Sequence, residues 1–251
     1  MYRQMVAWTL VSFVVLGVAK VATASSPPQP TTSSQTVEMF QAMRDGQIEV
    51  KFIPKDAREA SVLIKNKTDK PLTVKLPDAF AATPVLAQLD GGGLRPSGPG
   101  SSQALGGGMP NNMGPGMAPW NIPPEKIAQI KVPVVCLEHG KPEPRPAVPY
   151  VIKPLEEFSN TSGLREVLQA LANGQVSQRV AQAAAWHLEN GMSFQELASK
   201  QLRFANGVRC PYFSPAEIRA AMQLVAKAKQ QAKQRQQSTP SPSLGETVGQ
   251  N

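Results

Sequence analysis

Histidine and cysteine are scarce, with two of each in 251 residues. That scarcity excludes a multi-metal or haem-rich protein and a disulfide-dense scaffold. There is no glycine loop followed by Lys-Ser/Thr to cradle a phosphate, and no His-Glu-x-x-His helix. Acidic residues are outnumbered, 18 against 26 Lys+Arg, giving a net charge of +8. Long apolar runs are missing beyond the first twenty or so residues. Proline and glycine are plentiful at 24 and 19, but they cluster, so the foldable part is shorter than the chain.

The first 24 residues have the layout of an export signal. Arg3 supplies the positive start, residues 6–18 the apolar core, and Ala22-Thr23-Ala24 the small-x-small cleavage pattern before Ser25. The apolar stretch is shorter than the ~20 residues of a transmembrane helix. The expectation is therefore an exported protein, periplasmic, envelope-bound or secreted, with no transmembrane span after cleavage. Residues 25–36 form a Ser/Thr/Pro linker expected to be disordered.

Residues 37–90 and 120–153 have β texture. Ile48, Val50 and Phe52 alternate with Glu49 and Lys51, the period of a half-buried strand. Two β-branched runs, 61–65 and 72–76, flank the polar turn Asn66 to Pro71 and predict a hairpin. A further strand, 126–137, ends near Cys136. The fold these runs predict is a small antiparallel Ig-like β-sandwich. Residues 91–119 form a Gly/Met/Pro-rich flexible insert, in which Met109, Met113 and Met117 at four-residue spacing suggest soft-metal ligands or filler.

From 155 to 236 the pattern is helical and predicts a compact helical domain, giving an α+β class overall. Leu164, Val167, Leu168 and Leu171 make an i, i+3, i+4, i+7 stripe ending at Asn173-Gly174. Ser177 caps a second helix that stops at Gly191. Capping boxes stand at Ser193/Glu196 and Ser214/Glu217, with Met192/Leu197 and Phe213/Ile218 as staples. Residues 237–251 form a tail expected to be disordered. Lys227, Lys229, Lys233 and Arg235 are diluted by Gln and lack interleaved aromatics, which fits a solvated helix end better than a nucleic-acid surface. Asn66-Lys67-Thr68 and Asn160-Thr161-Ser162 fit the glycosylation pattern.

Chemistry converges on Cys136. Two cysteines in an exported chain allow one bridge, Cys136 to Cys210, closing a loop of about 75 residues for ~4 kcal/mol. A zinc set would use Cys136, His139, His187 and Cys210. A Cys-His hydrolase would need Cys136 with His187 and Asn190, without a papain or caspase signature around the cysteine.

A fourth reading comes from resemblance. Cys136 together with Ala181-Gln182-Ala183-Ala184-Ala185-Trp186 resembles the thioester domains of bacterial surface adhesins, which pair a strand Cys with a Gln in a Thr-Gln-x-Ala-Ile-Trp helix. Gln182, Ala184 and Trp186 match that pattern; Ala181 and Ala185 depart from it, and the separation of 46 positions is shorter than in that family. The resemblance implies an internal Cys136–Gln182 thioester, with His139 as base and Trp186 as shield, attacked by an amine of a partner. The phrases 135–141, 182–188 and 212–214 are also similar to exported proteins of planctomycete-type bacteria, a resemblance that implies an exported module and no particular activity. Two functions follow: an exported, non-enzymatic binding or structural module of the cell envelope, needing no cofactor and meeting a protein or cell-surface polymer; or a covalent adhesin-like module.

Overall fold

In a computed structural model the described residues are 35–85, 102–109 and 120–238. The expected signal peptide, residues 25–34 of the linker, residues 86–90 of the expected β region, residues 91–101 and 110–119 of the insert with Met113 and Met117, and the tail from 239 lie outside them.

The first part of the chain runs β1 (Gln35–Glu38), α1 (Met39–Arg44), β2 (Ile48–Pro54), β3 (Glu59–Asn66), β4 (Leu72–Lys75), β5 (Phe80–Pro84), β6 (Leu105–Gly107), β7 (Trp120–Ile122), β8 (Ile127–Cys136) and β9 (Tyr150–Pro154). Six of these strands close a barrel in the order β2-β3-β8-β6-β5-β9, which replaces the expected Ig-like sandwich. The closure has a local cause. β8 is ten residues long and pairs with β3 along Ile127–Pro133 and with β6 along Val134–Cys136. β9 then joins β5 back to β2, so no open edge of a two-layer sandwich remains. The inward side chains follow the strand period: Ile48 and Phe52 on β2, Ala60, Val62 and Ile64 on β3, Ile130, Val132 and Val134 on β8.

Two features within the β region differ from expectation. β3 and β4 do not form a hairpin; β4 belongs to a separate sheet, β1-β4-β7. Asn66, fully buried, causes the divergence. Its amide donates to the carbonyls of Lys70 (2.7 Å) and Ile122 (2.9 Å), and its Oδ1 accepts from the Thr68 backbone (2.9 Å), turning the chain out of the barrel. With the amide so used, Asn66 is unsuited to carry a glycan. Secondly, residues 102–109 of the supposed flexible insert are buried, and Gly106 and Gly107 lie in β6. The glycines there are required by proximity. A Cβ on Gly106 would lie 2.9 Å from Leu137 Cδ2, and on Gly107 2.8 Å from Phe80 Cζ. Met109 is buried at 1% exposure in the core, which removes it from any soft-metal site.

The second part contains α2 (Leu164–Ala172), α3 (Gln178–Asn190), α4 (Phe194–Ser199), β10 (Gln201–Arg203), β11 (Arg209–Pro211) and α5 (Pro215–Ser238), after a 3-10 turn at Leu155–Glu157. The expected caps are present: Ser177 accepts from Val180 N–H, Ser193 and Glu196 form a full capping box, and Ser214 and Glu217 exchange equivalent bonds. The expectation of an all-helical domain over 155–236 is corrected at 201–211, where β10 and β11 pair as an antiparallel hairpin. Arg235 bonds Glu166 at 2.6 Å, so part of the basic helix end is used to tie α5 to α2. One hydrophobic core includes Phe80, Val134 and Leu137 of the barrel side together with Leu168, Ala184 and Val225 of the helices. No helix among the described residues is long and apolar enough to cross a membrane.

Candidate functional site

The burial of β8 changes along its length. Its early residues alternate, whereas Val134, Val135 and Cys136 are all buried, because α3 covers the end of the strand. On the β3 side, strand pairing stops at Glu59↔Pro133, with one further bond from Val134 N–H to the Arg58 carbonyl (2.9 Å). The backbone beyond that point is buried and needs partners.

Helix α3 provides them with amide side chains on one face. Gln178 Nε2 donates to the Val134 carbonyl (3.0 Å). Gln182 takes the Cys136 N–H on Oε1 and donates Nε2 to the Cys136 carbonyl, both at 2.8 Å. Past the strand end, Asn190 donates to the Leu137 carbonyl and accepts from His139 N–H, both at 3.0 Å. The spacings agree. Four residues of helix rise about 6 Å and two residues of strand about 6.6 Å, so amides at i and i+4 meet alternate strand residues. The helix thus replaces a missing strand neighbour. Ala183, Ala184 and Ala185, all fully buried, allow the close approach, and Trp186 fills the next position on that face.

Each predicted site residue has a definite place. Cys136 and Gln182 are brought together, through the cysteine backbone. The Cys136 thiol is 2% exposed, and burial, reinforced by the charges of Glu143 and Asp56, pushes its pKa up to about 12. It is therefore a protonated thiol at neutral pH, the opposite of an activated nucleophile. Cys210 is half-buried in β11, and both thiols are free, so the expected disulfide is not formed. The zinc set does not assemble, since no three His, Cys, Asp or Glu among the described residues are grouped to hold a metal. His139 Nε2 meets Lys200 Nζ at 2.9 Å, and burial followed by that ammonium lowers the imidazole pKa. His139 is thus a neutral acceptor from the lysine. His187 faces the Met192 carbonyl through Nδ1 (2.8 Å) and stacks on Phe194 at 4.3 Å, away from Cys136. With Asn190 also committed to backbone, the hydrolase triad has no support.

Above the seam lies a cleft of about 140 Å³ whose lining includes Arg58, Asp56, Glu143, Gln182, Tyr212 and Phe213. Asp56 Oδ1 is occupied by the N–H groups of Arg58 and Glu59. Arg179, also in the lining, pairs with Glu217 at 2.7 Å and lies 5.4 Å over the Tyr212 ring. Arg58 and Glu143 are exposed and make no ion pair among the described residues. The cleft therefore presents one unpaired cation, Arg58, the two carboxylates of Glu143 and Asp56, and an aromatic wall. Sequence reasoning missed Arg58, Glu143, Gln178 and Tyr212. The recurrence of amides at 178, 182 and 190 on one helix face was a usable signal for Gln178; nothing local marks the others.

Compared with protein-family models, curated proteins and solved structures, the chain has no match.

Proposed function

We propose that the chain is an exported, non-enzymatic binding or structural module of the cell envelope that meets its partner at the cleft over the β8–α3 seam. The observation that carries this reading is the unpaired Arg58 set among the Glu143 and Asp56 carboxylates and beside the Tyr212/Phe213 wall, above a thiol held in its protonated form. Such a lining suits a protein segment or cell-surface polymer bearing both charges. Export rests on the composition of residues 1–24. The test is saturable binding to isolated envelopes of the producing cells, together with fractionation. Binding weakened at least tenfold by Arg58→Glu and by Glu143→Lys, with unchanged melting temperature, is expected. A cytoplasmic protein, or envelope binding insensitive to both variants, would overturn the reading.

A second reading rests on the Cys136–Gln182 contact itself. Attack of the Cys136 sulfur on the Gln182 carboxamide carbon forms an S–C bond, breaks the C–N bond and releases ammonia carrying the thiol proton. The Cys136 N–H already on Oε1 polarises that carbonyl. Against it stand the raised thiol pKa and the structural use of both amide groups.

A further inference from the structure

The β10–β11 hairpin stands apart from the core. Every residue from 201 to 209 is exposed, while its base is fixed by the bond from Tyr212 N–H to the Lys200 carbonyl (2.7 Å). Lys200 in turn lies 5.4 Å over the Trp186 ring. Two strands alone make a marginal sheet, to which the cross-strand neighbours Phe204 and Val208 add only a modest ~0.2–1 kcal/mol. Yet Leu202, Phe204 and Val208 are 36%, 51% and 55% exposed. By strand alternation Leu202 and Phe204 share one face, opposite Cys210 and beside Val208. The other face carries Arg203 directly across from Arg209. Like charges facing each other across a ladder are destabilising, and neither arginine has an ion pair among the described residues. No acidic residue occurs between Glu196 and Glu217, a stretch holding three cations.

An apolar tip with flanking arginines and no acidic neighbour matches the chemistry of a membrane interface. The apolar side chains enter the headgroup–acyl boundary, and the arginine stems extend so that their guanidinium groups remain among the phosphates. A soluble acidic polymer would satisfy the arginines and leave Phe204 and Val208 in water. We propose that the β10–β11 hairpin docks the protein peripherally on an anionic lipid bilayer.

The experiment is flotation of the full chain with phosphatidylcholine vesicles, with and without phosphatidylglycerol. Arg203→Gln/Arg209→Gln is expected to weaken binding to the anionic vesicles roughly thirtyfold, as for two basic residues at the surface. Phe204→Ser/Val208→Ser is expected to weaken it at least tenfold. The apolar N-terminal stretch is the same in every variant, so the differences report the hairpin. As a local readout, Phe204→Trp is expected to show a blue-shifted emission increment on anionic vesicles alone. Equal binding by parent and variants, or no shift of the added indole, would overturn the proposal. So would binding to dextran sulfate without binding to vesicles, which would indicate a polymer site. The hairpin lends only Leu202 to the cleft lining, and none of the varied residues lies there, so failure here leaves the cleft reading intact.

Discussion

Gln182→Ala is expected to lower the melting temperature by roughly 10 °C. The substitution orphans the N–H and carbonyl of Cys136, both of which Gln182 now satisfies at 2.8 Å in a buried site. Each unsatisfied buried group costs ~1–3 kcal/mol, so the pair is worth about 4 kcal/mol. For a folded unit of about this size each kcal/mol shifts the midpoint by roughly 2–4 °C. Gln182→Glu separates the hydrogen-bonding cause from lost volume. The introduced carboxyl donates to the Cys136 carbonyl only when protonated, so its folded pKa is raised above the unfolded value of about 4.3. Its stabilising contribution is therefore complete below that value and lost as pH rises through the folded pKa. Thermal denaturation from pH 4 to 7 should show this variant falling progressively behind the parent. An unchanged melting temperature for Gln182→Ala would mean that water or another group serves the strand end.

Gly108→Ala is expected to be comparably severe. A Cβ there would lie 2.3 Å from the Asp78 carbonyl oxygen, 2.9 Å from Ala172 Cβ and 3.2 Å from the Leu168 carbonyl oxygen. The closest neighbour is the backbone before β5 and the other two belong to α2, so relief requires the Asp78 backbone and α2 to move apart. A loss of about 3 kcal/mol follows, the upper end of ordinary overpacking. Gly46→Ala is the control: it has φ +69 with nothing within 4 Å of the added carbon, and should cost only about 1 kcal/mol from backbone strain. Chemical denaturation of the two variants checks the contrast. Equal small losses would show that β6 is not held where the packing requires.

Local signals were legible where local physics decides. The caps at Ser177, Ser193 and Ser214, the stop at Gly191 and the stripe from Leu164 to Leu171 all follow from residue spacing, and the structure has them. Partner choice was not legible. The period of β2 and β3 marks their buried faces but does not say that β8 will bridge β3 and β6, which is what closes a barrel. Glycine was the most misleading residue type. Gly106, Gly107 and Gly108 resemble low-complexity filler, but their missing side chains make room for Leu137, Phe80 and α2. The hairpin at 201–211 was hidden between two strong helix signals. At the site, a family resemblance paired Cys136 with Gln182 as a thioester, and the structure joins them through hydrogen bonds to the Cys136 backbone.

The intact mass of the native protein, before and after methylamine, bears most directly on whether Cys136 is a buried spectator. Free thiols at Cys136 and Cys210 and a carboxamide at Gln182 predict the full mass for the chain from its observed N-terminus, unchanged by the amine. A mass short by one ammonia that rises with methylamine, and is restored in Cys136→Ala, would contradict it and establish the covalent module.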